Sequence, residues 1–274
     1  MKFRYLLVCT LVLLILAGGF TQAIGQNPSL KKVQTIPLQG IKNVTIDRLG
    51  NIYAQLENQS INKYDTDGNW MASFSNLERV EISQIEPWNP LSIFIYSSSV
   101  REIELLDRSL IRQERISVDP SLAIEPSLAS PSINNSYWLF DKSDLSLKKI
   151  DLKNSGVAFQ IDLNKVAHTV QPIYIALREY QNMIFLLDLS TGIEIYSIVG
   201  KRIHKIEVSG LSYFGFLGQE LYYLEAGNLK FYDLYTEETH QLLVGNVKQA
   251  LATDERLILV KTDSIEVFEF KPSR

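Results

Sequence analysis

The pentapeptide Ile61-Asn62-Lys63-Tyr64-Asp65 decides the fold, because its pattern returns five more times along the chain. An aliphatic residue is followed by two variable ones, then an apolar or aromatic residue, then an acid or a small polar residue. The other copies are Ile103-Glu104-Leu105-Leu106-Asp107, Leu147-Lys148-Lys149-Ile150-Asp151, Ile193-Glu194-Ile195-Tyr196-Ser197, Leu229-Lys230-Phe231-Tyr232-Asp233 and Ile265-Glu266-Val267-Phe268-Glu269. Their fifth positions lie 42, 44, 46, 36 and 36 residues apart. Each copy is short, apolar and broken by polar residues, which suits a half-buried strand.

The surroundings of the pentapeptide repeat as well. A turn precedes each copy, as in Glu57-Asn58-Gln59-Ser60 and Ser190-Thr191-Gly192. Before the turn stands a more apolar run, such as Ile52–Leu56, Met183–Leu189 or Leu257–Val260, suited to a strand covered on both faces. A more polar strand follows, clearest at Ile203–Val208 and His240–Val244. Four strands in a unit of roughly 40 residues make a propeller blade. The sequence therefore predicts an all-β, six-bladed β-propeller.

Six units fit between Val44 and Pro272, and the last holds only three strands before the chain ends at Arg274. The strand-like segment Lys31–Gln39 supplies the fourth and closes the ring by joining the two ends. Pro37 is tolerable there because the outermost strand of a blade is an edge.

The first unit carries a family signature. Val44-Thr45-Ile46-Asp47-Arg48-Leu49-Gly50-Asn51-Ile52-Tyr53, followed by Tyr64-Asp65-Thr66-Asp67-Gly68, resembles the NHL-type repeat of six-bladed propellers over about 30 residues. The resemblance implies blade architecture and blade number, and it transfers no activity. Units two and three depart from it, with Glu86-Pro87-Trp88-Asn89-Pro90 and Ser130-Pro131-Ser132-Ile133-Asn134-Asn135 in place of the Gly-Asn turn.

The N-terminus predicts export. Lys2 and Arg4 precede an apolar run from Tyr5 to Ala17, and Ala23-Ile24-Gly25 places small residues at a signal-peptidase site. Residues 1–25 read as a secretory signal peptide and 26–274 as the propeller domain, in the periplasm or outside the cell. The alternative is an uncleaved anchor, but the apolar stretch falls short of the roughly 20 residues that span a bilayer. Cys9, the only cysteine, leaves with the signal, so disulfides and thiolate chemistry are not expected in the mature chain. Removal of two basic residues takes the formal charge from −4 to −6, which excludes a basic nucleic-acid footprint.

Catalytic patterns are sparse. No G-x-S-x-G elbow, G-x-G-x-x-G loop or Walker-type loop occurs. His168, His204 and His240 are 36 residues apart, but the last two begin equivalent outer strands and cannot converge on one ion. The repeated acid after the third strand suits hydrogen bonding to the following turn. Polar residues expected on the channel-lining strands are Asp47, Glu81, Glu125, Gln171, Gln249 and Asp254, several of which could offer oxygen ligands to a divalent cation. Trp70, Trp88 and the irregular 117–136 stretch, with prolines at 120, 126 and 131, mark connections where a partner could be held. The expectation is a non-catalytic exported propeller, without a cofactor, that binds another envelope protein. Trp88, Glu81, Glu125, Gln171 and Gln249 are its candidate binding residues. The alternatives are a secreted hydrolase or lactonase-like propeller with a channel cation, and a small-ligand sensor module.

Overall fold

The computed structural model describes residues 30–154, 156–165 and 171–272. The expected signal peptide, Cys9 and His168 lie outside them. Among the described residues, strands form six four-stranded antiparallel sheets arranged as a β-propeller. Blade 1 contains β2 (Ile41–Ile46), β3 (Ile52–Leu56), β4 (Ile61–Tyr64) and β5 (Trp70–Phe74). Blade 2 contains β6 (Gln84–Glu86), β7 (Ile93–Ser97), β8 (Glu102–Leu106) and β9 (Arg112–Ser117). Blade 3 follows with β10 (Pro126–Ser132), β11 (Ser136–Asp141), β12 (Ser146–Asp151) and β13 (Gly156–Asp162). Blade 4 is built from β14 (Tyr174–Tyr180), β15 (Met183–Asp188), β16 (Gly192–Ser197) and β17 (Arg202–Glu207). Blade 5 is built from β18 (Phe214–Leu217), β19 (Glu220–Glu225), β20 (Asn228–Asp233) and β21 (Thr239–Leu243).

Blade 6 has three strands from the C-terminal end of the chain, β22 (Gln249–Ala252), β23 (Arg256–Val260) and β24 (Ser264–Glu269). Its fourth is β1 (Lys32–Pro37), which pairs antiparallel with β24 and sets Thr35 opposite Glu266 and Ile36 opposite Ile265. The ring closes as the sequence predicts, with Pro37 at the end of an outermost strand.

Burial follows strand position. Every residue of β7 and of β15 is buried, whereas β9 and β21 are mostly exposed. The apolar second strands are sandwiched between neighbouring blades, and hydrophobic surface removed from water between sheets holds the disc together. Phe185 and Ile195 of blade 4 thus pack with Phe214 and Tyr223 of blade 5. Trp138 and Phe140 of blade 3 pack with Ile184 and Tyr196 of blade 4.

The repeated acid closes the turn after the third strand. Asp65 Oδ1 accepts the amides of Asp67 and Asn69, Asp107 Oδ1 those of Ser109 and Ile111, and Asp233 Oδ1 those of Tyr235 and Thr236. Two of these amides hold the Asp233 carboxyl below the ordinary carboxylate range. In blade 4 the Ser197 hydroxyl takes the same place and accepts Lys201 N–H.

The first strands of neighbouring blades meet around the axis. In each blade the chain turns from first to second strand on one side of the disc, the turn face. It crosses from blade to blade on the other.

Candidate binding site

The channel is closed by an ion pair. Arg178 on β14 points across the axis, where its Nε donates to Glu86 Oε2 at 2.5 Å and its Nη2 to Oε1 at 3.0 Å. Its Nη1 donates to the carbonyl of Phe214 on β18 at 3.0 Å, and Gln84 reaches the Leu177 carbonyl at 2.6 Å. Blades 2, 4 and 5 are tied at one point. Burial works against the charge on Arg178, but the Glu86 carboxylate in contact outweighs it and raises the guanidinium pKa.

Aromatic rings cover this pair on the turn face. Tyr180 stacks on Phe216 with centroids 4.1 Å apart, and Trp88 meets Tyr180 edge-on at 5.4 Å. The Arg178 guanidinium lies 5.1 Å from the Phe216 ring centre.

Beside the plug a cleft of about 430 Å³ runs between blades 2 and 3. It exists because β10 presents Ser130, Pro131 and Ser132 where blade 4 places Arg178, Glu179 and Tyr180, and blade 5 places Phe216 at the middle position. Small side chains next to the axis leave the space unfilled. Its walls are apolar, with Phe94, Ile103, Leu105, Ile116 and Leu152 among them, and its inner end carries Glu86, Arg178 and Glu179. Trp88 and Asn89 of one irregular stretch, and Pro131 and Ile133 of another, line the same cleft. The two places where the sequence abandons the repeat thus converge on one cavity.

The polar candidates fare differently. Gln249 is buried on the channel-lining strand β22, but its amide is spent on blade 1, donating to Val44 O at 2.5 Å and accepting Val44 N–H at 3.2 Å. It copies a backbone ladder across the joint between blades 6 and 1. Asp47, at the end of β2, is buried and accepts the Leu49 and Asn51 amides, the Asn51 side chain and the Tyr53 hydroxyl.

Glu81, Glu125 and Gln171 require correction of their placement. Each precedes the first strand of its blade and is exposed, so none lines the channel. Glu81 pairs with Lys42 at 2.9 Å, which lowers its pKa, and the Glu125 backbone N–H is held by Asp141. Asp254 borders a second recess on the turn face, shared with Asp47, Trp88 and Phe216. Trp70 is exposed at the start of β5, away from the cleft. His204 stacks on Tyr232, and His240 stacks on Phe231 while contacting Glu220 at 2.6 Å, so the two remain on separate outer strands. Among the described residues no group of three His, Cys, Asp or Glu gathers as a metal site would need.

Arg178, Glu86 and Glu179 escaped the sequence reading. The signal available was an Arg-Glu pair inside the otherwise apolar run Tyr174-Ile175-Ala176-Leu177 leading to Tyr180. The Arg178 charge there demands a partner, because buried ions are tolerated only when paired.

Known structures agree with the architecture. A virginiamycin B lyase from Staphylococcus aureus superposes with a TM-score of 0.60 at 11% identity, over 86% of this chain and 98% of that one. The WD40 domain of Neurospora crassa Pan2 gives 0.58 at 8% identity, over 91% and 97%. A streptogramin B lyase gives 0.55 at 11%, over 89% and 88%. The chain is a β-propeller. No protein-family model matches the sequence, and no curated protein matches it. At these identities the likeness carries the fold alone, and propellers of one shape serve unrelated chemistries.

Proposed function

We propose that this chain is an exported, non-catalytic propeller of NHL type that binds a partner protein of the cell envelope through its turn face. The observation that carries this reading is the convergence of both irregular stretches on the cleft beside Trp88. Leu49 (64% exposed), Leu91 (66%) and Ile133 (52%) project from turns of the same face. Exposed apolar side chains ringed by polar ones suit an interface.

Two acids near the axis, Asp47 and Glu86, suit a binding role better than a hydrolytic one. Asp47 is saturated by its own turn and Glu86 by Arg178, so neither is free to activate a water. The NHL assignment rests on the first blade. There Asp47 caps the turn and Gly50 adopts φ +84°, a conformation that favours glycine. Export rests on the basic, apolar and small-residue order of residues 1–25. The 430 Å³ cleft favours a second reading, a small-ligand sensor.

Photo-crosslinking in intact cells tests the partner. A crosslinker at Leu91 should give a discrete adduct that Trp88→Ala removes. One at Leu77, 89% exposed on the opposite face, should give none. Equal adducts from both faces, or none from Leu91, would refute the assignment. Sequencing the N-terminus of the mature protein tests export, and a retained Met1 would count against cleavage.

A further inference from the structure

We propose that the cleft between blades 2 and 3 is a binding site for an organic cation, an ammonium group carried on an apolar body. The inference stands on the cleft alone and holds whether or not the turn face docks a protein. A volume of about 430 Å³ is in the range of small-molecule sites, and most of the wall is aliphatic or aromatic. The apolar body of a ligand is accounted for by Phe94, Ile103, Leu105 and Ile116.

Charge decides the rest. Among the described residues, only three that line the cleft are acids or bases of full charge: Glu86, Arg178 and Glu179. Glu86 and Arg178 neutralise one another through two hydrogen bonds. Glu179 has no such counter-ion among the described residues. Its Oε2 accepts two neutral donors, the Ser132 hydroxyl and the Trp138 indole N–H, each at 2.5 Å. Those donors fix the carboxylate in place without cancelling its charge, and its Oε1 has no partner among the described residues. The cleft therefore carries one net negative charge at its inner end.

That charge selects the ligand. An anion would meet Glu179 with no spare cation to offset it. A neutral apolar molecule would strip water from an unpaired carboxylate, which is costly. A metal ion would find one carboxylate oxygen and no cluster of ligands among the described residues. An ammonium pairs with Glu179 Oε1 and lies among the rings of Trp88 and Tyr180, where cations are favoured.

Titration calorimetry on the mature domain tests the proposal with three probes of one shape: 4-phenylbutylamine, 4-phenylbutanol and 4-phenylbutyrate. The amine should bind with one-to-one stoichiometry, about tenfold or more tighter than the other two, the size expected of one charge-assisted hydrogen bond. Glu179→Gln keeps an acceptor for Ser132 and Trp138, and should lower amine affinity by about that factor while leaving the alcohol unchanged. Leu105→Trp should block all three by filling the cleft. Equal affinity for the three probes, no binding by any, or unchanged amine binding in Glu179→Gln at wild-type thermal stability would overturn it. Competition by an acetylated Ala-Lys-Ala amide assigns the cation to a partner's lysine, and amine binding without such competition assigns it to a free amine. Trp88→Ala crosslinking reports separately, so the two proposals fail independently.

Discussion

Arg178 and Glu86 meet across the propeller axis with Nε–Oε2 at 2.5 Å, although their blades are not neighbours. Their side chains are 9% and 7% exposed, so the contact is a buried ion pair rather than a surface one. Its removal on one side strands a charge at the centre of the ring. Arg178→Ala or Glu86→Ala should each cost about 3–5 kcal/mol, while Arg178→Met with Glu86→Leu should recover much of it. Urea unfolding at pH 7 measures all three, and single-variant losses below about 1 kcal/mol would contradict the pairing.

Closure of the ring predicts a second effect. Ile36 on β1 is buried against blade 6 and also meets the turn at Gly68 of blade 1. Ile36→Ala should destabilise the whole domain by about 2–5 kcal/mol, as for other buried aliphatic truncations. Amides of β24 should exchange faster in the variant, since their outer partner strand is loosened. Unaltered exchange in β24 would show that β1 contributes little to closure.

Blade number and closure were legible because each third strand faces the same demand. Ile61, Ile103, Ile193, Leu229 and Ile265 are all buried at equivalent positions, so their spacing exposes the repeat. The acids after them were legible for the same reason, since Asp65, Asp107 and Asp233 each bond their own turn. Channel positions were not. Glu81, Glu125 and Gln171 sit just before strands that begin at Gln84, Pro126 and Tyr174, and short polar connections resemble channel-lining edges. Local patterning does not distinguish them. The Arg178–Glu86 pair and the cleft arise from residues 92 positions apart that meet only when the ring closes.

Gly192 supplies a steric prediction. It opens β16 at φ +105°, and a Cβ there would lie 2.1 Å from Ile206 O and 2.8 Å from Val208 N. Both atoms belong to backbone, so they cannot yield by rotating. Gly210, at φ +74°, has nothing within 4 Å of its Cβ position. Gly210→Ala should cost only its left-handed backbone, about 1–2 kcal/mol. Gly192→Ala should cost clearly more. Equal losses in chemical denaturation would disprove the close approach.

Asp141 gives a pH prediction. At the end of β11 it is fully buried, and its Oδ2 accepts Lys148 Nζ at 2.6 Å and the Ile124 amide at 2.9 Å. Its Oδ1 accepts the amides of Glu125 and Ser143 and the Ser143 hydroxyl. Burial alone would raise its pKa. The hydrogen bonds from Lys148 and these amides prevail and hold it well below the usual range. A folded pKa below the unfolded value of about 3.9 stabilises the protein above that pH. The contribution fades as pH falls from there towards the folded value. Asp141→Asn should therefore cost about 3–5 kcal/mol near neutrality, where Lys148 is left with only Asp144 at 3.0 Å. The gap between wild type and variant should narrow steadily below about pH 4. Denaturation of both proteins between pH 3 and 7 measures that gap, and a constant difference across the range would mean that Asp141 is not held ionised by these partners.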